Sequence, residues 1–270
     1  MIITSFSNPK IKSIRKLEKK KYRQESGLFF IEGLRIVGEA VQLAAPIHTI
    51  VVSPELLESD FGLSLLIHPN IVNVERIDVS AEVFKKIANK EGPQGIGAVV
   101  QQNWQALDTT PVHTDDIWVA LDAVADPGNL GTIMRTLDAV GGRGVILLGH
   151  TTDPYDPTAV KASMGALLSL ELVQADWSEF LRWRADKSIS MIGTSDHAEK
   201  DYQAIKYQHP LILFMGSERH GLSDEMEDAC DQMARIPMAG RGDSLNLAVA
   251  TAVMLYEIFN QSRNLVTIEP

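Results

Sequence analysis

Three segments of the 270-residue chain combine polar side chains with the glycines and helix starts that bring such groups to a ligand. The first is DAVADPGNLGTIMRTLDAVG, in which Asp126-Pro127-Gly128-Asn129 ends a strand and Asn129 is placed to cap the helix that follows. Arg135 lies six residues further, a rotation of about 600°, or 240° net, so the two side chains serve different walls. The second, HPLILFMGSERHGLSDEM, is an apolar run ending at Gly216-Ser217-Glu218-Arg219-His220-Gly221. Its two glycines permit unusual dihedrals and close approach by a ligand, and Glu218 is a carboxylate placed to act on a substrate or hold an arginine. The third, ARIPMAGRGDSLNLAVATAVMLYEIF, passes from a short strand through a loop to a long apolar helix, opened by Ser244 with Asn246 in its first turn. Unpaired N–H groups there suit a carboxylate or hydroxyl of a ligand. Taken singly, each segment also reads as an ordinary strand-to-helix turn.

The elements around these segments alternate. From Ile117 the order is strand IWVALDAV, helix NLGTIMRTLDAV, strand GVILLG, helix TAVKASMGALLS, strand LELVQA, helix SEFLRWRAD and strand ISMIGTS. Such alternation predicts a doubly wound, mostly parallel α/β sheet with ligands beyond the carboxyl ends of its strands. Residues 1–102 form a separate small α/β domain: a helix from Pro9 to about Lys19, strand FFIEG, helix LRIVGEAVQLAA, strands HTIVVS, IVNVERI and GIGAVVQ, and helix AEVFKKIAN capped by Ser80. Residues 103–115, polar and containing a proline, read as a linker to a second domain at 116–270. The P-loop pattern is absent, and Gly128 and Gly131 do not give the dinucleotide fingerprint, which disfavours a nicotinamide-dependent oxidoreductase.

Composition narrows the partners. No apolar run is long enough to span a bilayer and the start lacks an apolar signal region, so a cytoplasmic protein without membrane attachment is expected. Cys230 is the single cysteine, and the seven histidines include no closely spaced pair, so no metal is expected. The net charge of −10 hides an asymmetry: residues 1 to 35 hold nine basic and three acidic side chains, a local +6. A basic run is commonly just a solvated helix face, but it also suits phosphate.

NLGTIMR, GSERHGL and IPM…SLNLAVA, in this order and at strand ends, resemble the signature motifs of the SpoU/TrmH-type RNA 2′-O-ribose methyltransferases of the SPOUT superfamily. The likeness covers about residues 115 to 262, and SNPKIKSIRKL, YRQESGLFFIEGLR and GPQGIGAVV look more loosely like the N-terminal RNA substrate-binding domain of members acting on ribosomal RNA. The resemblance implies a C-terminal domain threaded into a deep trefoil knot, a homodimer, and S-adenosyl-L-methionine held by Met215, Gly216, Gly221, Ile236, Met238, Ser244 and Leu245. It implies catalytic roles for Asn129, Arg135, Glu218 and Asn246, with Arg135 as activator of the ribose hydroxyl. A guanidinium stays protonated at neutral pH, so Arg135 gripping a neighbouring phosphate is a second reading, with that phosphate or Glu218 taking the proton. Lys19, Lys20, Lys21, Arg23 and Arg35 are the further RNA contacts expected, on ribosomal RNA before transfer RNA. A catalytically silent RNA-binding protein on the same fold is the alternative.

Overall fold

The computed structural model describes residues 1–88, 92–242 and 244–266 and divides the chain into two compact units: 1–102 with 153–169, and 103–152 with 170–270. In the first unit α1 (Pro9–Lys16) is capped by Asn8 and begins with proline, and α2 (Lys20–Ser26) ends at Gly27 in the left-handed conformation. The sequence predicts one helix here through about Lys19; the chain instead breaks at Leu17–Lys19 and starts a second. Strand β1 (Leu28–Glu32), helix α3 (Leu34–Gln42), β2 (Ile47–Val52), α4 (Asp60–Leu65), β3 (Glu75–Asp78), α5 (Ala81–Ile87) and β4 (Ile96–Gln101) follow. Ser80 caps α5 as expected, while Asn89 lies outside the described residues. The strands form a sheet in the order β1-β4-β2-β3, antiparallel except for β2 with β3.

The second unit starts with β5 (Trp104–Gln105), inside the stretch that reads as a linker. Two residues are too few to leave a periodic signal, yet they pair with β8 at the edge of the large sheet. Then come β6 (Ile117–Asp122), α6 (Pro127–Ala139) and β7 (Gly144–Leu148). The chain next enters the first unit as α7 (Pro157–Ser163), a helix expected to run on through 169. It stops because Met164 and Gly165 both turn left-handed, and a Cβ on Gly165 would sit 1.5 Å from a Glu39 carboxylate oxygen. Back in the second unit lie β8 (Glu171–Ala175), α8 (Trp177–Lys187), β9 (Ser190–Thr194), β10 (Lys200–Asp201), β11 (Leu211–Met215), α9 (Asp224–Asp228), β12 (Gln232–Arg235) and α10 (Leu247–Val266). The sheet order is β10-β12-β9-β11-β6-β7-β8-β5, and every pairing in it is parallel. All of β11 is buried, as its continuous apolar run requires. Trp118, Phe180, Trp183 and Phe214 fill one core cluster, with Trp118 and Trp183 edge to face at 6.0 Å. Among the described residues no helix is long and apolar enough to cross a membrane.

The expectation that Arg23 contacts RNA does not hold. Its side chain is 1% exposed, with Nε and Nη2 donating to Asp153 at 2.9 and 2.7 Å and Nη1 donating to the carbonyls of Leu17 and Glu18 at 2.8 Å. Asp156 adds a second carboxylate at 3.5 Å. Arg23 therefore fastens the segment from Asp153 onto the first unit, beside the ring contact of Phe29 with Tyr155 at 4.7 Å. Arg23→Leu leaves Asp153 buried without a counter-charge and is expected to cost about 3–5 kcal/mol in urea unfolding. Breaking the exposed Lys10–Glu75 pair by Lys10→Ala is expected to cost under about 1 kcal/mol on the same assay; equal costs would show that the buried pair has no special structural role.

Candidate active site

Strand order places the site. β6 leads to β7 and β8 on one side, while β11, its other neighbour, leads to β9 and β12. The reversal point of a parallel sheet is thus between β6 and β11, with Met215 beside Leu121, and ligand crevices open beyond the carboxyl ends of such a pair. Ala123 leaves β6 in the left-handed region, φ 49°, unusual for a residue with a Cβ. Burial pushes the carboxyl of Asp122, the last residue of β6, above its ordinary range.

Beyond β11 the chain closes on itself. Ser217 and Gly221 exchange two backbone hydrogen bonds, at 3.1 and 3.0 Å, leaving Glu218, Arg219 and His220 as the exposed tip. Gly216 has to be glycine, because a Cβ there would lie 2.1 to 2.3 Å from the backbone of Gly221 and Leu222. Gly221 takes φ 65° to complete the turn.

Asp126, not Asn129, caps α6: its Oδ1 accepts the Asn129 N–H at 2.7 Å, and Pro127 occupies the first helical position. Asp-Pro at a helix start was the signal for this, since proline needs no N–H partner there. The Asn129 side chain is consequently free to look outward. Asn246 immediately precedes α10 and is its cap, its Oδ1 accepting from Ala248 N and Val249 N at 3.0 and 3.3 Å. An oxygen is needed at that end, so Nδ2 points away and donates to Asn129 Oδ1 at 3.0 Å. Asn129 must then turn its own Nδ2 to Glu218, which accepts it at 3.4 Å. Glu218 also accepts the backbone N–H groups of Ala125 and Asp126, at 3.3 and 3.4 Å, at the positive end of α6. All three segments singled out in the sequence meet in this network.

Arg135 stands outside it, exposed on α6, with no hydrogen bond or ion pair recorded among the described residues. Ile236 and Met238 follow β12, with Met238 exposed, and Ser244 and Leu245 are exposed just before the cap. Met215 is buried, its sulfur accepting from the Thr194 hydroxyl at 3.4 Å. In the first unit Lys19, Lys20 and Lys21 are exposed at the start of α2, Lys21 lying 3.8 Å from Glu25. Arg35 is exposed and 3.5 Å from Glu39. Asp126, the residue that releases Asn129 from capping, is the functional position that the sequence reading overlooked.

Both parts of the chain match known protein families. Residues 116–256 match the SpoU rRNA Methylase family, and residues 8–98 match the MRM3-like substrate binding domain. A 23S rRNA (uridine(2479)-2′-O)-methyltransferase of Streptomyces viridochromogenes is 34% identical over 247 residues, 88% of this chain and 85% of that one. A 23S rRNA (guanosine(2553)-2′-O)-methyltransferase of Bacillus subtilis is 28% identical, covering 95% of this chain and 98% of its own. The crystal structure of an AdoMet-bound rRNA methyltransferase from Sinorhizobium meliloti superposes with a TM-score of 0.88 at 36% identity, over 96% of this chain and 97% of that one.

Asn246→Asp keeps an oxygen for the cap but has no N–H for Asn129, whereas Asn246→Ala loses both. We expect Asn246→Ala to lower stability by about 1 kcal/mol in denaturant titration and Asn246→Asp to stay within a few tenths of wild type. A full loss in Asn246→Asp would mean that the link to Asn129, more than the cap, supports α10.

Proposed function

The chain belongs to the SpoU rRNA methylase family, and from that membership and the Asn246–Asn129–Glu218 network we propose that it methylates a ribose 2′-hydroxyl of RNA using S-adenosylmethionine. The network carries the reading, because it joins the three motif segments at the reversal point of the sheet. Ribosomal RNA is favoured over transfer RNA, since relatives matched over most of their length are named for 23S rRNA. The family's knotted α/β fold accounts for the parallel sheet of the second unit. Residues 1–102 with 153–169 serve RNA recognition, and 103–152 with 170–270 carry the chemistry, β5 within 103–115 being part of the large sheet.

The cofactor fits what the site offers. Exposed apolar Met238 and Leu245 give adenine and the methionine chain apolar walls. The side-chain space of Gly216 is filled by the backbone of Gly221 and Leu222, while Gly221, where a side chain would meet nothing within 4 Å, leaves open space beside the loop. Met215, Gly216, Gly221, Ile236, Met238, Ser244 and Leu245 are the residues assigned to hold it. When bound, S-adenosylmethionine supplies a methyl group on a sulfonium that a hydroxyl oxygen can take by in-line displacement.

The protein's own work is then positioning and charge. Asn129 and Asn246 form a directional pair that fixes the hydroxyl's approach. Glu218 already accepts three donors, so its first task is to tie the loop after β11 to the entrance of α6. Arg135, free of protein partners among the described residues, grips a phosphate next to the target ribose bidentately. As the oxygen–carbon bond forms the hydroxyl proton becomes strongly acidic, so a weak base suffices. The phosphate that Arg135 holds takes the proton and passes it to water.

α10 carries a second surface. Leu247, Thr251, Met254, Leu255 and Ile258 face the core, while Val249 and Tyr256, seven residues apart, are about half exposed on another face. An apolar stripe on a helix this long suits a second copy of the chain, and the protein is assigned as a cytoplasmic homodimer. Sedimentation of Val249→Asp/Tyr256→Glu is expected to show monomers where wild type shows dimers; an unshifted dimer would place the interface elsewhere. With labelled S-adenosylmethionine and RNA from cells lacking the enzyme, Arg135→Ala is expected to lose at least about a hundredfold in methyl transfer, as loss of a charge-stabilising donor does. Its affinity for S-adenosylhomocysteine should be unchanged. Full transfer by Arg135→Ala would sink the assigned role, and wild type that retains RNA without binding S-adenosylhomocysteine would make the protein a silent RNA binder.

A further inference from the structure

One face of the first unit's sheet is covered unevenly. Ile11, Ile14 and Leu17 from α1 and Val83, Phe84 and Ile87 from α5 pack on it. Beside α1 a groove of about 470 Å³ stays open. Its floor is Leu28, Thr49 and Val99, and Ser13, Lys16 and Tyr22 form its wall. The floor follows from register: Thr49 pairs with Val99 on one side and Glu75 on the other, so the three side chains share a face.

The groove joins an apolar slot to a polar end. Lys16 Nζ lies 5.1 Å from the centre of the Tyr22 ring, a cation over an aromatic face at the rim. At the polar end Glu75 accepts from Lys10 Nζ and from the Thr49 hydroxyl at 3.1 Å. The Thr49 proton is thereby used, so its oxygen accepts from His48 Nδ1 at 2.8 Å. In the tautomer that donates from Nδ1, Nε2 of the exposed His48 is an acceptor. Lys10 holds the Glu75 carboxyl below its ordinary range, with Thr49 contributing, so it remains a charged acceptor. The lining itself carries Lys10 and Lys16 against Glu25 and Glu75, while Lys12, Arg15, Lys19 and Lys20 on the same stretch of chain are exposed and make no ion pair among the described residues.

We propose that this groove takes one unstacked base of the RNA substrate. The base lies over Leu28 and Val99 against Tyr22, with its edge toward His48 and Glu75. The acceptors there favour a base edge that donates N–H groups, and the lysines of α1 and α2 meet the flanking phosphates. The neighbouring cations choose the occupant: an apolar slot with an aromatic wall, on helices whose Lys12, Arg15, Lys19 and Lys20 carry no ion pair among the described residues, complements a polyanion that carries flat apolar rings. Single-stranded RNA offers that combination, and proteins bind it by splaying bases onto sheet faces and aromatic side chains.

The proposal rests on RNA being the substrate, and the test separates the two. Full-length enzyme with S-adenosylhomocysteine is photocrosslinked to 4-thiouridine-labelled ribosomal RNA from cells lacking it, and crosslinked peptides are identified by mass spectrometry. Crosslinks are expected at Tyr22 or His48. Tyr22→Ala, and Ser13→Trp to plug the slot, should each raise the Kd for that RNA about tenfold, the usual order for losing one stacked base. Both should keep the wild-type salt slope and S-adenosylhomocysteine affinity. Replacing Lys19, Lys20 and Lys21 by Ala should instead flatten the salt slope. Wild-type RNA affinity in both Tyr22→Ala and Ser13→Trp, a flattened slope in Tyr22→Ala, or crosslinks confined outside the groove would each overturn the base site. Wild type that neither binds nor methylates this RNA would overturn the RNA reading itself.

Discussion

The cap of α10 is the constraint from which the Asn246–Asn129–Glu218 network follows. Two N–H groups at the start of a 20-residue helix need an oxygen, and Asn246 supplies it. Once that oxygen is committed the amide has a single orientation, so Nδ2 must face Asn129. Asn129 then has one orientation too, which aims its own N–H at Glu218. Glu218 in turn accepts the backbone at the entrance of α6. A chain of donors and acceptors therefore runs from one helix start to another, and reversing either amide would set donor against donor. Each bond contributes only about 1 kcal/mol net, so the value of the chain lies in direction more than in strength.

Such a chain needs rigid ground, which the sheet provides. β6 and β11 are adjacent, parallel and almost wholly buried. Their carboxyl ends therefore keep a fixed separation, and the loops that leave them inherit it. The loop after β11 is stiffened again by the Ser217–Gly221 pair and by the packing of Gly216 on Gly221. Arg135, exposed on α6, is tied to none of this.

Much of this was legible in the sequence where the physics is local. Buried strands show as apolar runs, and the paired glycines around Glu218 read as unusual dihedrals with room for a ligand, whereas Gly216 is a glycine because the backbone of Gly221 fills its side-chain space. Local signals failed where two of them competed or where the deciding partner was distant. Asn129 and Asp126 are both good capping residues three positions apart; the proline after Asp126 decides between them. The helix from Pro157 reads as longer than it is because Gly165 looks like a tolerated helix glycine until Glu39 is seen against it. Arg23 sits in a basic run and reads as a phosphate ligand, yet its partner Asp153 lies 130 residues away. No periodicity could have reported that.

Removing Arg23 from the RNA surface sharpens the question of how a chain of net charge −10 attracts a polyanion. The exposed cations of residues 10 to 21 lie close together on α1 and its junction with α2. At physiological salt the Debye length is about 8 Å. Phosphates resting on this surface feel its cations, while acidic groups more than a few Debye lengths away are screened. Net charge therefore says little about affinity at the patch.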